Sequence, residues 1–124
     1  MLVLLPGFEH DTVAIQASGV ISASDYESVL IPAVEAALLD HASIRLWYEF
    51  SPAYRSMTAS CLWDEAVLSF FHLQDFSQIV VLTDDPLLHN MTAALAAMLP
   101  CPTGVFNLSQ RQEALNWLAE PSLV

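Results

Sequence analysis

The sequence predicts an α/β fold: a mixed, mostly parallel five-stranded sheet with an N-terminal hairpin and four helices on one face. Three observations lead there. Segments with strand and helix patterns alternate in the order β-β-α-β-α-β-α-β-α. The connections between them are only a few residues long, which keeps successive elements adjacent. Strands joined through a helix become parallel neighbours with a right-handed crossover. If the strands are laid down in sequence order, that handedness puts every helix on one side and leaves the other face of the sheet uncovered.

Each element has a local reason. Leu2 to Leu5 is a short apolar run ended by Pro6-Gly7, and Thr12 to Ser18 alternates Val13, Ile15 and Ala17 with Ala14, Gln16 and Ser18, so the two read as strands joined by a turn. Gly19 is expected to close the second. Ser24 and Glu27 have the spacing of a capping box, which starts a helix from about Asp25 to Asp40. Pro32 interrupts it, removing one hydrogen bond and crowding the preceding turn, so a kink is expected there. Ile44, Leu46, Tyr48 and Phe50 alternate with Arg45, Trp47 and Glu49 in a strand that Ser51-Pro52 should end.

From Ala59 to Leu73 the spacing is helical, with Leu62, Ala66, Phe70 and Leu73 on one stripe and Trp63, Val67 and Phe71 beside it. Gln78 to Thr83 reads as a buried strand. Asp84-Asp85-Pro86 then starts a helix, with an acidic cap and proline in the first turn, that runs to about Leu99. Pro100-Cys101-Pro102 stops it. Gly104 to Leu108 is the last strand, and Ser109 with Gln112 should cap a final helix through about Ala119.

Composition narrows the function classes. A chain of 124 residues is the size of one domain, here expected over residues 1–124, and 55% hydrophobic against 14% charged residues suggests more apolar surface than one core hides. The net charge is −11, with Arg45, Arg55 and Arg111 as the fixed cations and no lysine. Nothing here neutralises phosphates, so neither nucleic acid nor an anionic lipid surface is an expected partner. The apolar N-terminal run lacks a cationic flank and is too short for an export signal, and no segment has the ~20 apolar residues of a membrane span. A cytoplasmic protein with reduced cysteines is expected.

Three stretches, DYESVLIPAVEAAL from Asp25 to Leu38, LWDEA from Leu62 to Ala66 and IVVLTDD from Ile79 to Asp85, resemble a family of small bacterial proteins with a SpoIIAA-like fold. The resemblance covers nearly the whole chain and includes the mid-helix proline. It implies the fold shared by anti-sigma-factor antagonists, STAS domains and CRAL-TRIO domains. In the antagonists a serine at the start of the helix after the third strand is phosphorylated. The corresponding stretch here, Arg55 to Ser60, makes Ser56 and Thr58 the candidate phosphoacceptors, without the acidic residue and glycine that flank the antagonists' serine.

The remaining chemistry is sparse. Ser56 and Thr58 also suit an ordinary helix cap. Cys61, in the first turn of a helix, is the candidate nucleophile and otherwise a small buried thiol. Glu65, Ser69 and His72 share a helix face but lack zinc-ligand spacing, and the scattered glycines form no phosphate cradle, so no metal or cofactor is expected. Trp47 falls with Arg45 and Glu49 on the uncovered sheet face. Together with Trp63 and Phe71 they are the candidate interface or ligand contacts. The sequence therefore reads as a non-enzymatic regulatory or protein-interaction domain that forms a homodimer. The alternative is a carrier of a small apolar or lipid-like ligand held between the helices Leu62 to Leu73 and Leu87 to Leu99 and the sheet.

Overall fold

The computed structural model describes residues 1–8, 11–57, 76–97 and 101–119. Its sheet has five strands, β1 (Leu2–Leu4), β2 (Thr12–Ile21), β3 (Ile44–Met57), β4 (Phe76–Leu82) and β5 (Thr103–Phe106), in the order β1-β2-β3-β4-β5. β1 is antiparallel to β2, and the other neighbours are parallel. The mixed, mostly parallel sheet opened by a hairpin is thus as the sequence predicts.

Among the described residues there are three helices. α1 is a continuous run of Ala23–Asp25, a π turn at Tyr26–Leu30, and Ile31–Asp40. α2 is Pro86–Ala96, and α3 is Arg111–Ala119, entered through a 3-10 turn at Leu108–Gln110. The helix expected from Ala59 to Leu73 lies outside the described residues.

Two strands run further than expected. β2 continues past Gly19 to Ile21, because Gly19 takes a φ of 63° at a shift in register and so bends the strand without ending it. β3 runs through Pro52. Between the pairs Ala17↔Phe50 and Gly19↔Tyr54, Ser51, Pro52 and Ala53 lie opposite Ser18 alone, and pairing with β4 has already ended at Glu49↔Leu82. A proline in such a bulge removes no ladder hydrogen bond.

Capping follows the strand ends. With β2 reaching Ile21, Ser22 takes the cap in place of Ser24, its backbone N–H (2.8 Å) and hydroxyl (3.1 Å) both donating to the Asp25 carboxylate. At α3 the capping box is Asn107 with Gln110, two residues before the expected Ser109 and Gln112. Asp85 caps α2 as expected, accepting from the N–H groups of Leu87 at 2.9 Å and Leu88 at 3.4 Å. Pro32 lies just after the π turn, in which the Ile31 N–H bonds to the carbonyl of Tyr26 five residues back. The wider turn relieves the crowding a proline imposes on the carbonyl four residues before it, so the helix passes Pro32 without a loop.

The sheet is covered on both faces. On one, Tyr26, Leu30 and Val34 of α1 and Leu88 of α2 pack on Val13, Ile15, Tyr48, Phe50, Ile79 and Val81. On the other, Ala114 and Leu118 of α3 pack on Ala14, Trp47, Val80 and Leu82. This corrects the expectation of all helices on one face. The handedness rule binds only a helix between two parallel strands, and α3, with no described strand after it, returns across the opposite face.

Replacing Pro32 with alanine supplies the missing donor and leaves every contact of α1 with the sheet in place. Pro32→Ala is expected to keep the fold and to change the unfolding free energy by no more than about 1 kcal/mol in chemical denaturation. A loss of several kcal/mol would show that the proline is required.

Candidate functional site

Trp47, Arg45 and Glu49 do come together on one face of β3, but α3 covers them. Trp47 is 0% exposed, against the expectation of an open face. The Phe8 ring lies 5.1 Å from its indole, the Arg111 guanidinium sits 5.6 Å from the ring centroid, and its Nε1–H donates to Glu49 Oε1 at 3.2 Å. Glu49, 6% exposed, also accepts from Gln16 Nε2 at 3.0 Å and is ion-paired with Arg111.

Arg45 ties three elements together. Its Nε and NH2 donate to the two oxygens of Asp11 at 3.1 and 2.8 Å, and NH1 donates to the carbonyl of Leu118 in α3 at 2.6 Å. The arginine holds the Asp11 carboxyl below its ordinary range, chiefly through this hydrogen-bonded pair and against the opposing effect of burial. Strand alternation already puts Gln16 on this face with Arg45, Trp47 and Glu49, whereas Arg111 and Asp11 were not legible as members of the cluster. Arg111 carried one signal, as one of only three fixed cations in an acidic chain. Its partner, 62 residues away, was set by packing.

Ser56 lies in β3, opposite Val20, one residue before the strand ends. Thr58, Cys61, Trp63, Glu65, Ser69, Phe71 and His72 lie outside the described residues. Cys101 is buried, and burial pushes its thiol pKa up, away from nucleophile chemistry. Trp117 is half-buried beside Phe106, ring centroids 6.1 Å apart, over Gly104, where an added Cβ would lie 2.7 Å from the Phe106 ring. Among the described residues no cluster of three or more His, Cys, Asp or Glu is placed to hold a metal, and no helix is long and apolar enough to cross a membrane.

Among the described residues two concavities stand out. At the carboxyl ends of β3 and β4 a cleft of about 150 Å³ lies among Phe50, Tyr54, Thr83 and Asp85. That is the usual ligand position in open parallel sheets, but here it has room for only a few waters, at roughly 30 Å³ each. The larger is an open groove of about 660 Å³ between the β1–β2 hairpin and α1. Leu4, Leu5 and Val13 form one wall and Ala33, Ala36 and Ala37 the other, with Thr12, Asp40 and His41 also lining it. The sequence reading placed a ligand elsewhere. It missed this groove because the alanines read only as part of a helix face.

A family model described as SpoIIAA-like matches residues 12–119. Among solved structures, the crystal structure of an uncharacterised DUF3478-family protein with a SpoIIAA-like fold from Shewanella loihica PV-4 superposes with a TM-score of 0.72. It is 20% identical over 95% of this chain and 94% of its own, a likeness that shows the fold alone. No functionally curated protein matches the chain.

Two measurements check this geometry. Trp47→Ala removes a fully buried aromatic and is expected to lower the unfolding free energy by about 3–5 kcal/mol, by the same amount at every protein concentration, since the side chain acts within one chain. Asp11 gives a pH signature. Its folded pKa lies below the ordinary 3.8, so its pair with Arg45 stabilises the fold above that value and the contribution is lost as pH falls through the depressed one. Asp11→Asn should flatten the acid limb of a plot of stability against pH and leave the neutral-to-alkaline part parallel to wild type.

Proposed function

The chain belongs to the SpoIIAA-like family, and from that premise we propose that it works by binding, as a single non-enzymatic regulatory or protein-interaction domain that self-associates. One observation carries the reading. With Trp47 withdrawn into the second core, the large apolar side chains still facing water include Val3 and Leu4 of the edge strand β1, 42% and 52% exposed, and Leu39 at the end of α1, 86% exposed. An edge strand with apolar side chains is a template for pairing, and a small acidic protein gains from covering it. A twofold dimer is the commonest way to do so.

A second reading is favoured by the groove. Its volume falls within the range of small-molecule sites, and its walls are mostly aliphatic with a few polar groups, which supports a small apolar ligand in place of, or together with, a protein partner. Trp63 and Phe71 stay candidate contacts for either partner.

Sedimentation across concentration, with native mass spectrometry, separates the two. A dimer is expected for the wild type, and Leu39→Ser or Val3→Lys should raise its dissociation constant roughly tenfold or more, since burying one large aliphatic side chain is worth about 1.5–3 kcal/mol. A wild type that stays monomeric at high micromolar concentration removes self-association. A co-purifying small molecule on that monomer would favour the ligand reading.

A further inference from the structure

We propose that the groove between the β1–β2 hairpin and α1 takes a small amphiphile with a cationic head, such as an alkylamine or alkylammonium, its chain along the alanine wall and its head at Asp40. The inference rests on the small-ligand reading of this groove and adds the chemistry of the ligand. The order of residues along α1 gives the direction. Ala33, Ala36 and Ala37 precede Asp40 and His41, so the aliphatic wall leads to a polar end at the helix C-terminus, where Thr12 begins β2.

Three facts make that end negative. Asp40 is exposed and is the last residue of α1, where the helix dipole already places about half a negative charge. The last turn of α1 contains no basic residue to offset either. A helix also leaves its last carbonyls without donors from within it. An acidic residue at a helix C-terminus is disfavoured by the helix itself, and a cation seated there removes the disadvantage.

The same bookkeeping excludes an anionic head. No lysine or arginine lines the groove. Arg45 is held by Asp11 and Leu118, and Arg111 by Glu49 under α3. A carboxylate or phosphate head would meet Asp40 and a helix C-terminus, with the His41 ring the one lining group able to carry a positive charge. Small side chains at Ala33, Ala36 and Ala37 leave the room for an alkyl chain, and the chain's −11 charge draws cations toward the surface.

The test is calorimetric titration of the full chain at low ionic strength with octyltrimethylammonium, octanol and octanoate, each below its aggregation concentration. The ammonium compound should bind about fivefold more tightly than octanol, the increment of one part-screened charge contact at a helix end, and octanoate should bind more weakly than octanol. Asp40→Asn should remove the preference for ammonium and keep octanol binding. Ala36→Trp, at an exposed position on the groove wall, should abolish binding of all three without lowering the melting temperature. If octanol binds and Ala36→Trp blocks it, but the ammonium gains nothing or octanoate binds best, the groove is a ligand site and the cationic inference is overturned. If none of the three binds, or Ala36→Trp changes nothing, the ligand reading of the groove itself fails.

Discussion

Glu49 carries a negative charge into the interior of the second sheet face, and a buried carboxylate is tolerated only when its oxygens are paired and hydrogen-bonded. The Gln16 amide, the Trp47 indole N–H and the Arg111 guanidinium meet that demand from β2, β3 and α3. Removing a partner leaves the buried carboxylate uncompensated, whereas an ion pair whose arginine is half exposed adds little net stability by itself. Its contribution is specificity of placement. A helix sliding along that face would leave the carboxylate unpaired, so α3 has one register on the sheet.

Arg45 fixes the other end of the same helix by donating to the carbonyl of Leu118, while its remaining donors hold Asp11 at the start of β2. Two of the chain's three arginines thus fasten one terminal helix. Ala114 and Leu118 are the fully buried side chains of α3, with Leu115 and Trp117 half-buried beside them, and the polar anchors add orientation to that apolar contact. The face that might have offered Trp47 to a partner is closed by this arrangement. Among the described residues, the β1 edge, the end of α1 and the groove between hairpin and helix stay open on the hairpin side.

Much of the architecture was legible because it is written in local chemistry. Alternation marked β2 and β3, the apolar run marked β4, and Asp85 with Pro86 marked the start of α2 to the residue. Errors fell where two local signals competed. Gly19 and Pro52 look like strand ends by themselves, and both lie in the bulge where β2 and β3 fall out of step, which needs the partner strand to be recognised. Ser24 and Ser109 have good capping sequences, yet Ser22 and Asn107 were used because the preceding strands end just before them. The proline in α1 sits behind a π turn, a change of hydrogen-bond partner that composition does not signal.

By itself the sequence determined the fold class, the opening hairpin followed by parallel crossovers, and the sign of the protein's charge. These follow from periodicity, chain connectivity and counting, each of which acts over short range or over the whole chain at once. Only the tertiary structure decided that α3 lies on the opposite face, that Trp47 is core, that Glu49 meets Arg111 and that a groove opens beside α1. The crossover rule is silent about a helix with no described strand after it, and a pairing 62 residues apart exists only once the sheet has brought its two ends together.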